Sequence, residues 1–154
     1  MPLADILTSD AVFPSLKANN KKSAIQELAA HAARLTGQDS RKIFETLLQR
    51  ERLGSTGVGN GVAIPHGKLP NLSRIHGVFA RLETPVDFES LDGKPVDLIF
   101  LLLAPEDAGA DHLKALALIA RLLRDDKTAE KLRATGDAQK LYQVLIAPPV
   151  SSAA

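Results

Sequence analysis

The stretch 54–69 reads GSTGVGNGVAIPHGKL and holds the side chains of this sequence that are best suited to chemistry. Pro65 and Gly67 flank His66, so the imidazole stands on a stiff backbone with little steric cover on one side. A neutral imidazole that another molecule can reach is a good nucleophile. Four glycines lie within Gly54–Gly61, and the N–H groups of such a loop can hold an anion. The pattern therefore favours a reactive histidine beside an anion-binding loop.

Simpler interpretations of the same residues stay open. The loop can be a surface turn, and His66 can be a turn histidine whose ring bonds to the backbone. A nucleotide site is disfavoured, because the stretch contains neither GKS nor GKT and its glycines do not follow G-x-G-x-x-G.

The other three histidines lie outside this stretch. His31 falls in an alanine-rich helical segment and His76 at the start of a strand, which favours structural roles for both. A metal site built from His66, His76 and His112 would require a ligand pattern such as HExxH, and the sequence has none. We therefore expect neither a metal nor a cofactor.

Composition limits the class of protein. The 154 residues are 45% hydrophobic and 24% charged with a net charge of +1, which are values of one globular domain with a full core. The absence of Cys excludes disulfides, thiolate metal sites and a cysteine nucleophile. Balanced charge and 4% aromatic residues argue against a nucleic-acid partner.

The sequence also lacks the marks of a membrane or secreted protein. The N-terminus has no basic start, and its apolar stretch is interrupted by Asp5. The longest apolar run is Leu98–Ala104, far below the ~20 residues that span a bilayer. We expect a soluble, cytoplasmic protein that is not embedded in a membrane.

Periodicity and capping residues predict the elements that position His66. Strands are predicted at 13–16, 62–64, 75–82 and 96–104. Helices are predicted after Asn20, after Asp39, and at 111–123, 128–134 and 138–146. The buried stripe predicted for the helix 111–123 is Leu113, Leu116, Ala117, Ala120 and Leu123. These elements predict a single-domain α/β fold, a small mixed β-sheet flanked by α-helices on both faces; the order of its strands is not readable.

The histidine segment and its surroundings resemble the active-site region of phosphotransferase-system IIA domains of the mannitol/fructose type. The resemblance covers about 3–145 and is closest to the nitrogen-regulatory branch, IIA-Ntr. The residues and segments that carry it are Arg50-Glu51, Gly54–Gly57, Gly59–Gly61, Ala63–Lys68, GVFARLETPVDF from Gly77, PVDLIFLLLAP from Pro95, and His112-Leu113.

This resemblance implies that His66 accepts a phosphoryl group on Nε2, with Nδ1 oriented by a backbone acceptor. It implies that Arg50 contacts the phosphoryl oxygens and that His112 lies beside His66. We also expect phosphoryl-binding donors at Ser55, Thr56, Asn60 and Gly61. Without the resemblance, Arg50 is as well explained by capping its helix or pairing with Glu51, His112 by a solvated helix start, and Ser55 and Thr56 by turn or cap roles.

The resemblance also implies a domain, 1–148, and a set of partners. The small, proline-rich C-terminal segment predicts a flexible tail, 149–154. The phosphoryl donor is an HPr-like carrier, NPr, charged from phosphoenolpyruvate through Enzyme I-Ntr. The regulated targets include potassium-transport and sensor-kinase proteins. The alternative is a sugar-specific IIA component that passes phosphate to a IIB domain. For carrier docking we expect a shallow apolar rim that includes Val58, Val62 and Leu69.

Overall fold

The computed structural model of the protein describes residues 2–147. Residue 148 and the predicted tail, 149–154, lie outside the described part of the chain. Within that part, no helix is long and apolar enough to cross a bilayer.

Helices begin and end where local chemistry predicts. Asn20 accepts a hydrogen bond from the Ser23 N–H at 2.8 Å, and Gly37 adopts a left-handed φ of 74° at the other end of the same helix. Asp39 and Asp137 likewise cap later helices. The helices are α1 Lys21–Thr36, α2 Ser40–Arg52, α3 Ala110–Arg124, α4 Asp126–Ala134 and α5 Ala138–Ile146, with short 3-10 turns at Leu3–Asp5 and Ser9–Ala11.

The strands form one mixed sheet. They are β1 Val12–Leu16, β2 Gly57–Gly59, β3 Val62–Ala63, β4 His66–Leu69, β5 His76–Val86 and β6 Val96–Pro105. Their order is β1-β5-β6-β3-β2. β4 pairs with the same edge of β6 as β3 does, but further toward the carboxyl end of β6. β5 runs antiparallel to β6, whereas β3 and β4 run parallel to it.

The central strand β6 is covered on both faces, as its apolar sequence predicts. Its even-numbered residues from Leu98 to Ala104 pack into a cluster with α3, α4 and α5. Its odd-numbered residues from Ile99 to Leu103 pack into a second cluster with α1 and α2. The predicted fold, a small mixed sheet with helices on both faces, is confirmed.

Three local predictions differ from the structure. The sequence interpretation has no strand at β2, which pairs with β3. The sequence interpretation has no strand at β4, because Gly67 and the preceding Pro65 are typical of turns; pairing with the carboxyl end of β6 makes this segment a strand. The stripe predicted for α3 is wrong at Leu113 and Ala117, which are exposed. Its other members, Leu116, Ala120 and Leu123, do pack against the core. The buried face of α3 consists of His112, Ala115, Ile119 and Leu123.

Candidate functional site

His66 lies at the start of β4, at the carboxyl end of the central strand. It pairs with Leu102 of β6, whose side chain packs on the α3 side of the sheet. The imidazole faces a cleft of about 470 Å³ between α2, β4 and the start of α3. The residues lining this cleft are Thr46, Gln49, Arg50, Leu53, His66, Gly67, Lys68 and His112.

Gly67 has a different role from the one its place in the sequence suggests. It faces α2 on the opposite side of the strand from the His66 ring, and a Cβ added there would lie 2.8 Å from Cγ2 of Thr46. The missing side chain therefore lets α2 approach β4 closely. Arg50, one helical turn after Thr46, is thereby brought to His66.

Two hydrogen bonds hold the His66 ring, one at each nitrogen. Nδ1 lies 2.9 Å from the carbonyl oxygen of Ile64. A carbonyl only accepts, so Nδ1 carries the proton and Nε2 carries the lone pair. Nε of Arg50 donates to Nε2 at 3.3 Å, which agrees with this tautomer. The geometry therefore presents Nε2 as the nucleophilic nitrogen.

Arg50 contacts both the histidine and the loop that follows its helix. Its Nη1 donates to the carbonyl oxygen of Gly54 at 2.9 Å, so it caps the end of α2 as well. The alternative pairing with Glu51 does not occur, because the Glu51 carboxylate points to Lys21 at 3.0 Å.

His112 lies beside His66, as the resemblance implies. The two ring centroids are 5.6 Å apart and the ring planes are inclined by 57°. His112 stands in the first turn of α3 and is 7% exposed. Within residues 2–147, its buried Nδ1 has no hydrogen-bond partner, and an unpaired buried polar atom near a cleft is typical of a site that binds a polar group.

The two rings are poised as neutral imidazoles. Burial lowers the pKa of His66 below its usual value. The hydrogen bond that Nδ1 donates to the Ile64 carbonyl oxygen opposes this shift, and the Arg50 guanidinium adds to it. Burial likewise lowers the pKa of His112, and His66 and Lys68 act in the same direction. At neutral pH the Nε2 lone pair of His66 is therefore free of a proton.

Residues 5–147 match the family described as "Phosphoenolpyruvate-dependent sugar phosphotransferase system, EIIA 2". The chain belongs to this family. It is 66% identical over 153 residues to a nitrogen regulatory protein of Bradyrhizobium diazoefficiens, covering 99% of this chain and 100% of that protein. Membership of the EIIA 2 family implies phosphotransferase activity in general.

Solved structures of the EIIA 2 family agree with the fold. The crystal structure of nitrogen regulatory protein IIA-Ntr from Neisseria meningitidis matches with a TM-score of 0.88 at 36% identity, covering 93% of this chain and 98% of that one. IIA mannitol from Escherichia coli matches with a TM-score of 0.76 at 21% identity, covering 90% and 97% of the two chains. The second match shows the fold alone.

Ser55 and Thr56 are occupied by structural bonds in this EIIA 2 chain. Ser55 Oγ donates to the Phe88 carbonyl oxygen at 2.5 Å. Thr56 is buried, and both its N–H and its hydroxyl donate to the carboxylate of Glu51. These bonds correspond to the alternative turn and cap roles, and the structure places neither side chain in the lining of the cleft.

Asn60 and Gly61 are not brought to the cleft. The Asn60 N–H donates to Asp92 at 2.9 Å, and its carbonyl oxygen accepts from Arg133 at 2.6 Å. The Gly61 carbonyl oxygen accepts from the N–H groups of Asp97 and Leu98. His66 pairs with Leu102, four residues after Leu98 on β6. At the usual rise of a strand, these two positions on β6 are about 13 Å apart.

The apolar rim of the cleft differs from the predicted one. Val62 and Leu69 are buried, so the prediction is wrong for both; their apolar character serves the core. Val58 is exposed, but it is not among the residues that line the cleft. Two other apolar side chains are exposed in this part of the molecule: Leu53, which lines the cleft and is 84% exposed, and Leu113, which follows His112 and is 67% exposed.

The remaining histidines lie elsewhere. His76 pairs with Leu103 of β6, the residue after the partner of His66, so the two rings face opposite sides of the sheet. His76 lines a second cleft of about 400 Å³ on the α1 side, and His31 stacks on Phe13. No group of three metal-binding side chains is assembled within residues 2–147.

Sequence reasoning missed Glu51 as part of the site. It belongs to the Arg50-Glu51 pair of the motif, but a glutamate in the last turn of a helix looks solvent-exposed in sequence. In the structure its side chain is 3% exposed. A signal existed, because the buried stripe of α2, Ile43 and Leu47, continues one turn later to position 51.

Proposed function

We propose that the protein is a phosphohistidine relay and regulatory component of a nitrogen phosphotransferase system. His66 accepts a phosphoryl group on Nε2 from the phosphohistidine of an HPr-like carrier, NPr, which Enzyme I-Ntr charges. The observation that carries this proposal is the pair of bonds that fixes Nδ1–H on Ile64 and turns Nε2 toward Arg50. Transfer from Enzyme I-Ntr to NPr and transfer from NPr to His66 both take place in the cytoplasm.

In the proposed transfer, the Nε2 lone pair of His66 attacks phosphorus. The new N–P bond forms as the N–P bond of the donor breaks, and its electron pair returns to the donor imidazole. Charge spreads over three phosphoryl oxygens, so catalysis is mainly positioning and charge stabilisation. Arg50 turns its planar guanidinium from Nε2 to two of these oxygens, and His112 donates a hydrogen bond from its ring.

The regulatory role rests on resemblance to a nitrogen regulatory protein at 66% identity. In this role the phosphorylation state of His66 selects which protein is bound, with potassium-transport and sensor-kinase proteins as targets. The family description names a sugar phosphotransferase system, which supports the second candidate, transfer to a IIB domain.

The experiment that tests the proposal is a phosphorylation assay with phosphoenolpyruvate, Enzyme I-Ntr and NPr, followed by intact mass spectrometry. We expect one acid-labile phosphoryl group on the wild type and on His76→Ala, and none on His66→Ala. His76 is the matched control, because it is also a half-buried histidine with a lowered pKa but faces the other side of the sheet.

An unmodified wild type in the presence of phosphorylated NPr contradicts the proposed donor. Rapid onward transfer of the phosphoryl group to a IIB protein favours the sugar-specific role over the regulatory one.

A further inference from the structure

A continuous chain of polar contacts connects the start of α1 to the imidazole of His66. It begins at the Glu51 carboxylate, which accepts hydrogen bonds from the N–H and the hydroxyl of Thr56 and contacts Nζ of Lys21 at 3.0 Å. The Glu51 side chain is 3% exposed and that of Lys21 is 15% exposed. A carboxylate buried so deeply is tolerated because these partners compensate its charge.

The chain continues through the backbone. The Thr56 carbonyl oxygen accepts a hydrogen bond from the Ile64 N–H at 3.0 Å. The Ile64 carbonyl oxygen in turn accepts from Nδ1 of His66 at 2.9 Å. The position of Thr56 therefore determines where the acceptor of the Nδ1 proton stands.

The last turn of α2 thus acts on both ring nitrogens from neighbouring positions. Arg50 contacts Nε2 directly, whereas Glu51 reaches Nδ1 through Thr56 and Ile64. Successive residues of a helix point about a quarter-turn apart, so one side chain enters the cleft and the other enters the protein interior.

We propose that Glu51, held by Lys21 and acting through Thr56, is a positioning residue that keeps His66 in the Nδ1–H tautomer. Its effect on the rate of phosphoryl transfer rests on the proposed function; its effect on the tautomer does not. Glu51 touches no reacting atom. It therefore sets the fraction of His66 in the Nδ1–H tautomer, and it does not affect how the carrier docks.

The direct test is the tautomer of His66, read from the ring-nitrogen chemical shifts of the unphosphorylated protein at about pH 8, where the imidazole is neutral. We expect the Nδ1–H form to dominate in the wild type. In Glu51→Gln, the Nε2–H form should gain about two- to tenfold in population relative to Nδ1–H, the range allowed by loss of one neutral hydrogen bond.

Glu89→Gln is the matched control. Glu89 also contacts Lys21, at 3.5 Å, but it is 75% exposed and has no bond to Thr56. We expect this variant to keep the wild-type tautomer. A second pair, Thr56→Val and Thr56→Ser, covers the case in which Glu51→Gln does not fold: valine should shift the tautomer, and serine, which keeps the hydroxyl, should restore it.

The kinetic test uses the same variants with phosphorylated NPr. Glu51→Gln should lower kcat in proportion to the loss of the Nδ1–H population while the KM for NPr stays unchanged. Wild-type shifts and kcat in folded Glu51→Gln and Thr56→Val would overturn the positioning role. A tautomer shift in Glu51→Gln, together with a wild type that accepts no phosphoryl group, would keep that role and overturn the proposed function.

Discussion

Replacing Arg50 with alanine should slow phosphoryl transfer to His66 without unfolding the domain. Arg50 makes two contacts, Nε to His66 at 3.3 Å and Nη1 to the Gly54 carbonyl at 2.9 Å, and the second lies at an exposed position. Loss of that exposed bond should lower the free energy of unfolding by about 1 kcal/mol or less. The domain therefore stays folded, and the variant reports on the cleft.

The kinetic effect follows from the charge that Arg50 faces during transfer. A hydrogen bond to a charged group contributes about 1.5–3 kcal/mol. Because about 1.4 kcal/mol corresponds to a tenfold change in rate, Arg50→Ala should reduce the rate about 10- to 100-fold. Arg50→Lys keeps the charge but loses the planar guanidinium, so its rate should lie between the rates of the wild type and of Arg50→Ala.

The assay is the time course of the phosphoryl adduct, followed by intact mass after rapid mixing with phosphorylated NPr. Measurements at about pH 8 keep His66 neutral in every variant, so a change in its pKa does not enter the comparison. Arg52→Ala is the control, because Arg52 carries the same charge in the same last turn of α2 and is exposed. An Arg50→Ala rate equal to the wild-type rate, or equal slowing by Arg52→Ala, would refute a specific role for Arg50.

Two further predictions concern stability and docking. All four histidines have lowered pKa values, chiefly through burial. As the pH falls, these histidines therefore bind protons in the unfolded chain before they do so in the folded chain. The free energy of unfolding should therefore fall as the pH drops below about 6.5 and stay level just above it; urea midpoints across this range check it, and a flat profile contradicts it. Leu113→Ser should raise the KM for NPr about tenfold with little change in kcat, because the exposed leucine would be buried on docking. Leu113→Met should restore the wild-type KM, and an unchanged KM in the serine variant would exclude Leu113 from the interface.

Features set by neighbouring residues were predictable from the sequence. Asn20, Asp39 and Asp137 cap their helices through bonds that span two or three residues, and such bonds depend little on the rest of the fold. The apolar run of β6 likewise predicts its central place. His66 was singled out by Pro65 and by the loop before it, and the resemblance added Arg50 and His112, which the structure brings together.

Features set by distant partners were not predictable. β4 is a strand because it pairs with β6, which lies 36 residues further along the chain. The sequence shows Asn60 and Gly61 in the loop before His66, but distant partners hold both away from the cleft. Asp92 and Arg133 bond to the backbone of Asn60, and the N–H groups of Asp97 and Leu98 bond to Gly61. In α3, a polar histidine takes a buried position and leaves Leu113 exposed, which reverses the usual pattern. The reversal has a reason in the site: the face of α3 that carries His112 is the face that lies against His66.

The charges around His66 favour keeping a phosphoryl group over hydrolysing it. None of the residues that line the cleft within the described chain is acidic, and the carboxylate of Glu51, which follows Arg50, is turned away and bonded to Thr56. Burial lowers the pKa values of the two histidines, so neither is a strong base. Arg50 and Lys68 attract the negative oxygens instead. A proposed N–P bond in this cleft therefore meets cations that stabilise it and no strong base that would direct water at phosphorus, which is the balance that a relay requires between one encounter and the next.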